Sequence, residues 1–416
     1  MLWIPVAIAV LIQALLFFTV QPEIAYDSAS YMAQAESLAS TGAARNALGE
    51  PDTVRTPGYP VFLAVFLASH LGYAGAILMQ RLLWILVVAA TTGLCMRMTG
   101  NTIAAVIAGV ITAVDLPALQ ATNSILTETL AAVVVCASVW QANRSARSRS
   151  TAGLVAAGIL AGVAALVRPV AILLGVPLAV AIVIAGSREI RLRAAMLIVI
   201  ASLAVSAGWI GRNYLETGVA TFSSISNINL LLYRAAGTLA IRDPGGIDAN
   251  IQRRQVELEA AACREVVARF GRECATVPIT LRATLYDDLA MPIILADPTG
   301  AGMQAARALA MIMFGGGANM LAGMTGLPES TTRLLAFGYT VPLALLAGIG
   351  AIYWWRADRL AATLMLLTIT YLVVMSLGVE AYSRFRVPFL PLYAMLAGGG
   401  AAALADRWTR SNPNTN

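Results

Sequence analysis

Ionisable and aromatic side chains gather in six short stretches between apolar runs. Asp27 and Tyr31 follow Glu23-Ile-Ala-Tyr, and Arg55 and Tyr59 stand in Arg55-Thr-Pro-Gly-Tyr-Pro60. Glu128 lies in Leu126-Thr-Glu-Thr-Leu130, Arg168 in Leu166-Val-Arg-Pro169, and Arg212 and Asn213 in Trp209-Ile-Gly-Arg-Asn-Tyr214. Tyr382, Arg384 and Arg386 share Glu380-Ala-Tyr-Ser-Arg-Phe-Arg-Val-Pro-Phe-Leu-Pro391. A carboxylate can take a proton from an attacking hydroxyl. Guanidiniums stay charged at any relevant pH and offer a planar fork matched to phosphate oxygens. The mixture suits a transfer reaction in which negative charge builds on a departing phosphate.

The elements that must position these groups are membrane helices. The chain has 416 residues, 59% hydrophobic and 12% charged, with mean hydropathy +0.75. Apolar runs recur along its length, as in a polytopic all-α membrane protein, whereas a β-barrel would alternate apolar and polar residues in short segments. The runs predict about ten spans, at 2–20, 73–96, 102–119, 125–142, 152–167, 169–186, 194–211, 332–355, 360–378 and 387–405. The first lacks the basic flank and small-residue cleavage site of a signal peptide and reads as an anchor.

All 28 basic residues are arginine. Arg97, then Arg144, Arg147 and Arg149, then Arg188, Arg191 and Arg193, then Arg356 and Arg359, then Arg407 and Arg410 occupy alternate loops, which the positive-inside rule places in the cytoplasm. The candidate residues then collect at the opposite, outer face of a bacterial cytoplasmic membrane. Cytoplasmic loops facing anionic lipid account for the pI of 9.3 without a nucleic-acid partner. Two outer regions are too polar to span. In 21–72, short interfacial helices are expected at 28–41 and 60–71. In 212–331, Val256, Ala260, Cys263, Val267 and Phe270 step at helical spacing, and 303–314 reads as an interfacial helix before the flexible Gly315-Gly-Gly317. The organisation is therefore 1–211, a membrane module with the outer loop 21–72; 212–331, a large outer loop; and 332–416, the last membrane helices.

The five stretches after Asp27, in this order and on the expected side, resemble the GT-C membrane glycosyltransferases, and within them the glycosyltransferase family 39-like branch of protein mannosyltransferases and aminoarabinose transferases. The resemblance implies a GT-C fold with interfacial helices in its outer loops, and inverting, single-displacement transfer of a sugar from a polyprenyl-phosphate donor to a lipid, glycan or protein acceptor. It places Asp27 at the catalytic carboxylate and makes Tyr31, Arg55, Tyr59, Glu128, Arg168, Arg212, Asn213, Tyr382, Arg384 and Arg386 the substrate-binding set. Arg212 and Arg384, held by aromatic and proline-rich turns, are the leading phosphate ligands. No Asp-x-Asp pair stands in the first outer loop and the chain has one histidine, so neither a metal nor a cofactor is expected.

Other readings stay open beside these. Asp27 could cap the helix that Ser28 opens, Glu128 could complement a helix N-terminus, and Tyr59 could belong to an interfacial aromatic belt. Arg168 could snorkel, Arg55 could anchor its turn, and Arg386 could pair with an acidic neighbour. Glu23 is the rival carboxylate and reads as a solvated loop residue; Arg81, inside the second apolar run, has no assigned role. Cys95 and Cys136 read as packing residues. Cys263 and Cys274 lie on the oxidising side, as a disulfide or as two free thiols. The alternative function is a transporter or lipid-linked glycan flippase. Transporters concentrate charge on broken helices at the midplane and show repeats, which this chain does not.

Overall fold

A computed structural model describes residues 1–25 and 27–411, apart from the side chains of Met324 and residues 409–411, Arg410 among them. The described residues are helical and contain no strand, only single bridges such as Glu23 to Ser124. The chain opens with the apolar helix α1 (Ile4–Thr19). Two helices of the first outer loop follow, α2 (Ser28–Thr41) and α3 (Gly58–Ala68), both close to the expected ranges. Helix α4 (Gly72–Thr99) runs until Gly100, whose φ of 64° ends it in the left-handed region that glycine tolerates.

The span expected at 102–119 is not one helix. It divides into α5 (Thr102–Val114) and α6 (Leu116–Thr122), bent by 56°. Pro117 disfavours continued helix before it, and the Asp115 carboxylate caps the new start by accepting from Ala118 N at 3.2 Å. Helix α7 (Glu128–Ser148) then leads to α8 (Thr151–Val167), which stops at Arg168-Pro169. A single 3₁₀ turn separates α8 from α9 (Gly175–Ala185), the tight reversal expected from that proline. Helix α10 (Arg191–Thr217) packs on α8 where Gly158 and Gly162 leave no room for a Cβ between the backbones.

The second outer region builds a small helical layer from α11 (Ile225–Asn229), a π-helical turn (Leu230–Ala235), α12 (Ala236–Ala240), α13 (Ile247–Phe270), α14 (Ile279–Ala296), α15 (Pro298–Phe314) and α16 (Ala318–Thr325). Its core holds Leu231, Ala235, Ala236, Leu258, Ala262, Tyr286 and Ala290. Here the expected stripe is corrected. Val256 and Val267 are exposed, and α13 buries Ile251, Leu258, Ala262 and Val266 instead. Both sets have helical spacing; the layer beneath selects between them. Cys263 is joined to Cys274. Helices α17 (Glu329–Ala357), α18 (Arg359–Met375) and α19 (Leu390–Ser411) complete the bundle, with a 3₁₀ segment Ser383–Phe389 leading into α19.

The ten expected spans are not matched one for one. Gly72–Thr99, Arg191–Thr217, Glu329–Ala357 and Ser383–Trp408 are long and apolar enough to cross a membrane, and the bent α5–α6 pair makes a fifth. Apolar helices such as Ile4–Thr19 and Thr151–Val167 have 16 and 17 residues, roughly 25 Å against a hydrocarbon core of about 30 Å. The protein is multi-pass all the same. Its bundle has two chemically distinct ends. At one, Arg147 pairs with Asp358 and Arg149 with Glu189; at the other, the segments 21–72 and 212–331 border a cavity.

Candidate active site

The chain enters the cavity region directly after α1. Asp27 immediately precedes α2, yet its side chain makes no capping bond. Its two oxygens accept instead from two guanidiniums, Arg55 Nη2 at 2.9 Å and Arg384 Nη2 at 2.8 Å. Arg55 is aimed by its own turn: the Asp52 carboxylate accepts from the backbone N–H of Val54 at 2.8 Å and of Arg55 at 3.1 Å. Its side chain also donates to Ser30 Oγ at 2.8 Å and Tyr31 OH at 3.3 Å, with the guanidinium 4.6 Å over the Tyr31 ring.

Glu128 begins α7 and is buried, so its charge needs partners. Arg168 Nη1 lies 2.8 Å from Glu128 Oε1 and donates to Thr127 Oγ1 at 3.1 Å; Arg384 Nε is 3.6 Å from the same Oε1. Pro169 holds Arg168 extended at the end of α8, and its guanidinium lies 4.7 Å over the Phe385 ring. Arg384, from late in the sequence, thus bridges two carboxylates of its first third, Asp27 and Glu128. Two carboxylates face three guanidiniums, a local excess of one positive charge.

The electrostatics at Asp27 set two effects against each other. Burial pushes its carboxyl up, and the Arg55 and Arg384 guanidiniums outweigh this and hold it below the usual carboxylate range. At Asp52 burial prevails over the N–H donors, and the group sits above the range. The space beside the cluster is a cavity of about 700 Å³ lined also by Tyr382, Asn229, Tyr233, Arg234, Gln252, Gln255 and Glu380. Among the described residues, no three His, Cys, Asp or Glu side chains are grouped as a metal would require.

Of the expected site residues, Asp27, Tyr31, Arg55, Glu128, Arg168, Tyr382 and Arg384 line this cavity. The other four do not. Tyr59 is buried, donates to Gln80 Oε1 at 2.6 Å and supports the Tyr31 ring edge-on at 5.2 Å. Arg212 donates to Asp52 O at 3.0 Å and Ala44 O at 2.6 Å, clipping the first outer loop to α10. Asn213 is buried and donates to Thr221 O at 2.8 Å, holding the chain as it leaves α10. Arg386 is sealed against Asp115, with Nη2 2.6 Å from Oδ2. In each case a backbone carbonyl or a buried acceptor lies closer than the cavity, and a buried donor must be satisfied where it stands. Glu23 is exposed and accepts from Gln120 at 3.1 Å. Arg81 donates to Gln13 O at 3.1 Å and to Asn123 Oδ1, tying α4 to α1 and to the end of α6.

Sequence reasoning missed Asp115, Arg234 and Glu380. Arg234, alone among apolar residues on the π-helical turn, donates to Met375 O at 2.8 Å; π-helical turns often mark functional sites. Burial pushes the Glu380 carboxyl up, its own N–H and Arg234 offsetting this only in part, and Oε2 has no hydrogen-bond partner.

No family profile and no curated protein matches the chain. Solved structures do. The archaeal oligosaccharyltransferase AglB from Archaeoglobus fulgidus, in complex with an inhibitory peptide and a dolichol-phosphate, is similar over 99% of this chain at 13% identity, with a TM-score of 0.55. The Archaeoglobus fulgidus oligosaccharyltransferase tethered to an acceptor peptide covers 100% at 14% identity, with a TM-score of 0.56. ArnT from Cupriavidus metallidurans bound to undecaprenyl phosphate covers 99% at 15% identity, with a TM-score of 0.43, and 79% of that protein is spanned. The chain spans 51% of each archaeal enzyme. At these identities the likeness shows the fold alone, an all-helical fold shared with the archaeal oligosaccharyltransferase over the part of it that this chain spans.

Proposed function

We propose that this chain transfers a sugar from a polyprenyl-phosphate-linked donor to a hydroxyl of a lipid, glycan or protein acceptor, by inversion in a single displacement. The observation that carries the reading is the cluster Asp27, Arg55, Glu128, Arg168 and Arg384 on one cavity wall, with its excess positive charge. The end that holds it lies opposite the short arginine-bearing loops and is read as the extracytoplasmic face of the cytoplasmic membrane.

The donor phosphate would take up the Arg384 and Arg168 guanidiniums, with Arg55 beside them. Every contact that Asp27 gives up raises its basicity, because Arg55 and Arg384 hold its carboxyl low in the free protein. Phosphate binding therefore readies the base. The acceptor oxygen attacks the anomeric carbon, the bond from that carbon to the phosphate oxygen breaks, and the electron pair leaves with the polyprenyl phosphate. The acceptor proton passes to Asp27. Arginine stabilises the charge developing on the phosphate.

The test uses the purified chain with a panel of radiolabelled polyprenyl-phosphate sugars, scored for transfer and for release of free lipid phosphate. Release with one or a few sugars, undiminished by EDTA, is the expected result. Labelled lipid that crosses a vesicle bilayer with no release would overturn the reading in favour of a flippase.

A further inference from the structure

A second cavity, of about 280 Å³, opens between α4, α7, α18 and α19. Its wall is almost wholly apolar, with Leu94, Val133, Ala137, Leu364 and Met395 among the lining residues. It runs from the middle of the bundle toward the end opposite the cavity described above, its α7 residues extending from Val133 to Asn143. Glu128 and Asn143 mark the two sites on α7, 15 residues apart, which is roughly 22 Å along the helix.

The mouth of this cavity is cationic. Trp140 lines it, and the exposed Arg97 guanidinium lies 5.9 Å over the indole ring. Asn143, a buried amide on the wall, accepts from Arg147 Nε at 3.2 Å. Arg147 in turn pairs with Asp358, whose carboxylate caps α18 through Ala361 N at 3.1 Å, and Ala361 is again a wall residue. Arg144 is exposed one residue beyond Asn143.

We infer that this cavity binds one acyl chain of an anionic diacyl phospholipid, with the headgroup phosphate on Arg97 and Arg144. An apolar slot alone would accept any hydrocarbon; the arginine rim and the indole at its mouth select an anionic headgroup at interface depth. Basic pockets between membrane helices at the side read as cytoplasmic are suited to such lipids, and tryptophan prefers the level of the headgroups. A polyprenyl phosphate held by the cluster at the other end has its phosphate too far away to reach this rim. The site is therefore a separate lipid site and does not depend on the proposed reaction.

Delipidated protein in detergent, titrated and read by native mass spectrometry, tests this. Phosphatidylglycerol, phosphatidylcholine with the same acyl chains, and polyprenyl phosphate are the three probes. One tightly held phosphatidylglycerol per chain is expected, with phosphatidylcholine weaker. Arg97→Ala and Arg144→Ala should each cost about fivefold in phosphatidylglycerol affinity and little for phosphatidylcholine. Ala137→Phe, which fills the slot, should abolish retention while the helical circular-dichroism spectrum is kept; if that variant does not fold, Ala90→Leu at the rim of the same cavity decides. Equal binding of the two phospholipids, retention by the plugged variant, or displacement of phosphatidylglycerol by equimolar polyprenyl phosphate would overturn the assignment.

Discussion

Arg384 and Arg386 stand two residues apart on one 3₁₀ segment and do opposite work. With three residues per turn, side chains two apart point to different sides. Arg384 turns into the cavity, its side chain 23% exposed, and shares itself between Asp27 and Glu128. Arg386 turns into the bundle at 0% exposure, onto an Asp115 that is also at 0%. That pair is completed by Tyr339 OH at 3.4 Å from the same Oδ2 and by Met313 O at 3.4 Å from Arg386 Nη1. The cavity arginine makes bonds for which solvent or a ligand can compete. The buried arginine makes bonds that nothing can replace, because neither water nor ligand reaches it. It joins the break between α5 and α6 to the segment that carries Arg384, and so holds Arg384 in place.

The largest effect should come on the cavity side. Asp27→Asn should slow transfer by ~10²–10⁴-fold while leaving expression and donor-lipid binding near wild type, with Glu23→Gln as the unaffected control. Wild-type turnover in the Asn variant would remove Asp27 from the proposed chemistry. On the buried side, Arg386→Ala leaves a carboxylate sealed without a counter-charge and should cost about 3–5 kcal/mol of stability. Chemical denaturation in detergent measures it, with Asp115→Asn/Arg386→Met as the double variant that restores part of the loss. If Arg386→Ala unfolds at the wild-type midpoint, the contrast between the two arginines fails.

A third test concerns the cover over the cavity. Removing the Cys263–Cys274 link, which closes a sequence separation of 11, should lower the stability of the α13–α14 layer by about 3 kcal/mol. Hydrogen exchange localised to 247–296, with the membrane helices unchanged, is the expected pattern; uniform loss across the chain would show that the layer is not a separate unit. Arg384→Ala should weaken polyprenyl-phosphate binding by about 1.5–3 kcal/mol and leave the unfolding midpoint nearly unmoved, with lysine recovering only part. Lipid-phosphate binding that matches wild type would shift the phosphate onto Arg168 or Arg234.

The smallest effect is on pH. The Asp27 carboxyl is depressed in the folded protein, so its ion pairs contribute fully above the ordinary carboxylate pKa of about 3.9 and are lost as pH falls through the lower folded value. Unfolding midpoints from pH 8 to 5 should therefore be unaffected by this group, with a decline only under stronger acid that Asp27→Asn makes shallower. An identical acid limb in both proteins would mean that the pairs with Arg55 and Arg384 are not formed in solution.

Much of the fold was legible because it rests on local properties. Apolar runs and the Arg168-Pro169 reversal are each readable within a few residues, and short helices at 28–41 and 58–68 emerged near the expected ranges. The break at Asp115 was legible in principle from Asp-Leu-Pro, yet an apolar count over 102–119 averages it away. The α13 stripe went wrong for a related reason. Two faces of that helix have acceptable apolar spacing, and only the layer packed against it chooses one.

The site divides along the same line. By itself the sequence determined that carboxylates and arginines would meet at one end of a helical bundle, since hydropathy and charge asymmetry act on each segment independently. It could not determine which arginine opens onto the cavity. Arg212 and Arg384 were equal leading candidates, but two backbone carbonyls, Asp52 O and Ala44 O, take the Arg212 guanidinium. For Arg386 the sequence offered pairing with an acidic neighbour as the alternative to substrate binding, but not which neighbour, and that partner lies 271 residues earlier in the chain. A side chain's residue type sets the bonds it can make; which of them it does make depends on the acceptors that tertiary packing brings within 3 Å.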